Sequence, residues 1–81
     1  MKNPADIKNF GTHLRKIRED NNLSQQQLAD MADIAKITIQ RIENAKFVVT
    51  LDVLISIAKA LNMPMETMMN FEISQTIGKD Y

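Results

Sequence analysis

Cysteine is absent from the 81-residue chain, which rules out disulfide staples, thiolate metal sites and thiol redox chemistry and fits a reducing compartment. Nowhere does an apolar run approach the roughly 20 residues a membrane span needs. The N-terminal stretch MKNPADIK has no apolar core of the signal-peptide kind. A cytoplasmic protein with no membrane contact is the expectation. An excess of charge is missing too, since ten Lys and Arg balance ten Asp and Glu, whereas nucleic-acid binders are commonly strongly basic. There is no nucleophile beside a base, no phosphate-cradling loop and no cluster of metal ligands. One domain of this length is also too small to enclose an active-site cleft and bury a large core as well. The chain therefore reads as no enzyme, with no cofactor and no metal.

What is present is ordinary for a folded domain: 44% hydrophobic and 25% charged residues. The charges are unevenly spread. Residues 1–23 hold five basic and three acidic side chains, 24–46 three of each, and 47–81 two basic and four acidic. One end of the molecule could face phosphates while the other avoids them.

The apolar spacing is helical throughout. Asn3-Pro4-Ala5-Asp6 reads as a helix start, with an Asn cap, a proline where its missing N–H costs nothing and an acid near the positive dipole end. Ile7, Phe10, Leu14 and Ile17 then form a buried stripe, and Gly11 inside this helix suggests close packing by a neighbour. Ser24-Gln25-Gln26-Gln27 is a capping box that opens a second helix with Leu28, Ala29 and Ala32 inward. The apolar phase changes near Asp33. A break there lets Ile34, Ile39 and Ile42 share one face of a third helix and leaves Ile37 pointing outward. Thr50 caps a fourth helix with the stripe Leu51, Leu54, Ile55, Ile57, Ala58 and Leu61, Asn62 stops it, and Pro64 starts a fifth. The reading is an all-α, five-helix domain over residues 1–72, with helices at about 4–21, 24–31, 35–43, 51–61 and 64–71. Residues 73–81 form a tail, either disordered or part of a dimer contact.

A short helix, a tight turn and a second helix with an outward polar start is the arrangement a helix-turn-helix needs. Here the chain resembles the Cro and C1 repressor class, the XRE-type helix-turn-helix proteins, over Phe10 to about Phe71. The resemblance is carried by FGTHLRKIRED, LSQQQLAD, ITIQRIEN, TLDVLISIAKALNM and PMETMMNF. It implies a compact lambda-repressor-like fold and an ion pair between Arg18 and Glu43 that ties the first helix to the end of the third. It further implies base reading by Ala35, Lys36, Ile37, Gln40 and Arg41, and phosphate contact by Gln25, Thr38, Asn44 and Lys46. The sequence departs from the family at three places: Asp33 stands for the turn glycine, Ala45 for the glycine after Glu-Asn, and Val49 for the proline before the fourth helix. Asp tolerates a left-handed turn. Alanine does not, so a locally different loop is expected at Ala45.

Met63, Met65, Met68 and Met69, with Phe71 and Ile73, add more apolar surface than a small domain can cover. A symmetric dimer using Met65, Met68, Met69, Phe71 and Ile73 would bury it. By contrast, His13 reads as a surface residue. The leading expectation is a homodimeric regulator, most often a repressor in the family, that reads a near-palindromic site on double-stranded DNA. The alternatives are an antitoxin-type module that binds a toxin or other protein partner, and a restriction–modification controller protein.

Overall fold

The computed structural model describes residues 4–46 and 49–71. Among them the chain forms five helices: α1 (Pro4–Asp20), α2 (Gln25–Ala32), α3 (Lys36–Glu43), α4 (Leu51–Ala60) and α5 (Met65–Met68). None of these is long and apolar enough to cross a membrane. Side-chain caps set two of the starts. The Ser24 hydroxyl accepts from the Gln27 N–H at 3.0 Å while Gln27 Oε1 accepts from the Ser24 N–H at 2.8 Å, so the capping box forms as expected. Thr50 accepts from the Val53 N–H and opens α4. Asn3 lies outside the described residues.

The inward stripes meet in one core of Phe10, Leu14, Leu28, Ala29, Ala32, Ile39, Ile42, Leu54, Ile57, Ala58 and Met68. Ile34 packs against it from the turn before α3, and Ile37 stands 47% exposed on the opposite side. The phase change near Asp33 is thus a real change of helix axis. Gly11 sits where α1 meets the end of α3: a Cβ built on it would fall on the carbonyl oxygen of Ile42 and lie 3.1 Å from that of Glu43. The close approach of two backbones is the reason this helix tolerates a glycine.

Helices α1 to α4 end alike. Just past each, one residue takes the left-handed conformation: Asn22 (φ 58°), Asp33 (57°), Ala45 (58°) and Asn62 (53°). In each case that residue donates its N–H to the carbonyl three back. The following residue donates five back, as in Leu23 to Arg18, Ile34 to Ala29, Lys46 to Arg41 and Met63 to Ala58. These are Schellman turns, which satisfy carbonyls that a helix end otherwise leaves orphaned. Leu23, Ile34 and Met63 also lay an apolar side chain against the core. None of the four uses glycine.

Ala45 corrects an expectation, because the loop keeps the left-handed backbone without the glycine. Alanine there costs about 1–2 kcal/mol. Against this stand two backbone bonds, Ala45 N–H to Ile42 at 3.1 Å and Lys46 N–H to Arg41 at 2.7 Å, each worth about 0.5–1.5 kcal/mol net. The turn is therefore kept, strained but bonded.

Four further expectations change. Leu51, assigned to the inward stripe, is 66% exposed, because that face of α4 runs on past the end of the core. The fifth helix stops at Met68 rather than continuing to 71. Phe71 instead turns back to set its ring edge-on to Phe10, with centroids 5.4 Å apart, a pairing worth about 0.5–1.5 kcal/mol beyond the area it buries. Met68, expected at a dimer contact, is wholly buried in the core and has no surface to offer a partner. His13 is half-buried at the α1–α5 junction: its ring centroid lies 5.8 Å from that of Phe71, and its Nε2 lies 3.4 Å from the Thr67 carbonyl oxygen.

Two substitutions test this reading in opposite directions. Ala45→Gly should stabilise the fold by about 1 kcal/mol, read as a higher urea midpoint at unchanged slope. Gly11→Ala should lower that midpoint strongly, because α1 and α3 must move apart.

Candidate nucleic-acid interface

Helix α3 has two unlike faces. Ile39, Ile42 and Glu43 are buried, while Lys36, Ile37 and Arg41 are exposed and Gln40 is half-buried at positions that share the outer face. Ala35, also exposed, occupies the cap position of α3 and makes no side-chain cap bond. Helices α2 and α4 begin with capped amides, whereas alanine has no acceptor to cover the first N–H groups of α3. The outer face of α3 therefore joins uncapped donors at its start, Lys36 and Ile37 in the first turn and Arg41 in the last, a set able to meet base edges, thymine methyls and phosphate oxygens.

The other end of α3 is pinned. The Glu43 side chain has no solvent exposure, and four residues approach it or share its anchor. Arg18 donates through Nε to Oε2 at 2.7 Å and through Nη2 to Oε1 at 3.0 Å. Its Nη1 donates to the Leu23 carbonyl at 2.7 Å, which ties in the α1–α2 turn. Gln25 at the start of α2 donates to Glu43 Oε1 at 3.1 Å, and Arg15 Nε does so at 3.3 Å. No buried side-chain polar atom among the described residues is left without a partner. Burial alone would push the Glu43 carboxyl up, but hydrogen bonds from Arg18 and Gln25, the Arg18 charge and the Arg15 bond together hold it below its ordinary value of 4.5. The hydrogen bond to Glu43 raises Arg18 further above its ordinary value, against the opposing effect of burial.

The structure brings the expected phosphate-contact residues to this same region, in different states. Thr38 is half-buried on α3, and Lys46 is exposed just beyond it. Gln25 is half-buried with one amide hydrogen committed to Glu43. Asn44 is exposed and accepts from Arg15 Nη2 at 3.2 Å, leaving its own amide hydrogens as the donors for an outside acceptor. Arg15 was not singled out from the sequence. The signal was its place one turn before Arg18, which puts both on the same side of α1. Ile73 lies outside the described residues.

A model of the helix-turn-helix family matches residues 14–68. The chain is 43% identical over 58 residues to the control protein C.SmaI of Serratia marcescens, covering 70% of this chain and 69% of that one. Its structure is similar to the restriction–modification controller protein C.AhdI from Aeromonas hydrophila, with a TM-score of 0.77, 28% identity and coverage of 79% of this chain and 97% of that one. The clp gene regulator ClgR from C. glutamicum shares the fold at a TM-score of 0.75 and 21% identity, over 83% of this chain and 86% of that one.

The lowered Glu43 carboxyl makes stability depend on pH in one direction. A group held below its unfolded value stabilises the fold fully above that value, and the contribution is lost as pH falls through the folded one. Stability should therefore fall on acidification below about pH 5, and Glu43→Gln should be less stable at neutral pH with a flatter acid limb. Urea melts of both proteins across that range check it. A variant that kept the full acid dependence would place its source elsewhere.

Proposed function

Because this chain belongs to the XRE-type helix-turn-helix family of DNA-binding transcription regulators, we propose that it is a homodimeric, sequence-specific regulator of the restriction–modification controller kind. The observation that carries the reading is the contrast between the two ends of α3. One end is locked to α1 and α2 through Glu43, while the other is uncapped and carries Lys36 and Ile37 outward, with Arg41 on the same exposed side in the last turn. A helix held in this way can enter a major groove with a fixed orientation.

Within that reading Lys36 and Arg41 donate to guanine O6 and N7, Ala35 and Ile37 meet thymine methyls, and Gln40 reads beside them. Gln25, Thr38, Asn44 and Lys46 hold the backbone and set register without reading sequence. With net charge zero the phosphate contacts are few, so the fall of affinity with salt is shallow for this class and dimerisation contributes much of the affinity. The dimer forms on the α5 side, where Met69 is 41% exposed and Met65 and Phe71 are half-buried. Two-fold pairing sets the recognition helices roughly 34–36 Å apart. The controller role, in preference to a general repressor, draws on the two control proteins to which the chain is similar.

Selection from randomised duplexes should return a near-palindromic site, and footprinting should find that site before the restriction or methyltransferase genes of the host. A selection that yields no two-fold site overturns the DNA reading. A clean site absent from those promoters overturns only the controller role. On the selected duplex Arg41→Ala should cost about 1–3 kcal/mol and relax preference at one position, whereas Lys46→Ala should weaken all duplexes alike.

A further inference from the structure

Two guanidinium groups reach the one carboxylate of Glu43, and one of them suffices. Arg18 supplies two short bonds from a side chain only 11% exposed, and Gln25 supplies a third. Arg15 stands outside them with its Nε at 3.3 Å and its side chain 45% exposed. An ion pair that open to water contributes about 0–1 kcal/mol. The neighbouring charges do not absorb Arg15 either. Lys16 pairs with Asp20 at 3.3 Å, and Glu19, near enough to act on Arg18, makes no ion pair among the described residues.

The position of Arg15 is more informative than its pairing. Its Nε shares the Glu43 Oε1 acceptor with Gln25, and its Nη2 donates to Asn44 Oδ1 at 3.2 Å. The guanidinium therefore lies between Gln25 and Asn44, two of the side chains assigned above to phosphates. Of its five N–H donors, these two bonds leave three with no partner among the described residues. The planar fork matches a phosphate oxygen pair. We infer that Arg15 is a further DNA-backbone contact: an anchor on α1 that grips a phosphate with its spare donors while the others hold Asn44 and Glu43. The inference rests on the DNA-binding reading above. It explains how a chain with no excess of positive charge concentrates a cation at the edge of α3.

The test is a binding titration of the full chain on the selected duplex, and on an unrelated duplex, at several salt concentrations, with thermal melts alongside. Arg15→Gln should reduce the slope of log K on log salt by about 0.9, so that it loses roughly 3-fold less affinity than the unaltered chain across a fourfold rise in salt. It should weaken both duplexes by the same factor, and Arg15→Lys should keep the slope. An unchanged slope in Arg15→Gln, or a loss confined to base preference, overturns the inference and leaves Arg15 as a support for Asn44. A Gln variant that melts below the assay temperature overturns it too, because Arg15 is then needed by Glu43 and is not spare. Failure of the unaltered chain to bind any duplex removes the DNA-binding reading itself, and so is told apart from a loss seen only in the Gln variant.

Discussion

A carboxylate with no solvent exposure must be matched by donors or lose its charge, and the way Glu43 is matched organises the whole site. Its partners come from α1 through Arg18 and Arg15, and from the start of α2 through Gln25, while Arg18 also takes up the Leu23 carbonyl. Three helices and a turn are thereby fixed about one point at the inner end of α3. A buried pair of this kind adds little net stability over apolar residues of the same volume, since desolvation consumes most of the Coulombic gain. What it adds is geometry. Hydrophobic contacts would let α3 slide or roll by small amounts, whereas a forked, bidentate pair holds the helix in one rotation and sets its outer face toward solvent.

The helix ends carry the same theme of fixed direction without loose backbone. Four Schellman turns reverse the chain after α1, α2, α3 and α4, and three of them place an apolar residue against the core just beyond the turn. Asn22, Asp33 and Asn62 hold the left-handed backbone at modest cost, because their short polar side chains tolerate it. Relative to glycine they lose less chain entropy on folding. Ala45 is the exception, and it lies directly after Glu43 and Asn44. The bonded turn and the anchored glutamate hold it in a conformation alanine does not favour.

Helix α5 closes the core rather than only presenting a surface. Met68 fills it completely, and Phe71 returns to Phe10 and His13. The methionine-rich segment thus divides between interior and surface, and Met69 is the most exposed of the methionines in it.

Sequence alone was enough to place the helices, two of the caps, the core stripes of α2 and α3 and the outward Ile37, while of the four-residue stripe expected on α1 Phe10 and Leu14 enter the core and Ile7 and Ile17 stay half-buried. Each of these depends on residues within one turn of one another, where spacing and hydrogen-bonding capacity decide the outcome. Family resemblance added the Arg18–Glu43 pair, which no local pattern implies. Only the tertiary structure decided the rest. Leu51 is exposed and Met68 buried although both lie on apolar helical stripes, because burial depends on where the core ends and not on periodicity. Arg15 joins Glu43 and Asn44 across about 28 positions of chain, and Ala45 keeps its left-handed turn because the backbone bonds that close it, Ala45 to Ile42 and Lys46 to Arg41, stand against its conformational preference. Short-range chemistry wrote the elements, and the balance between local strain and long-range contact settled which side chains were left free to act.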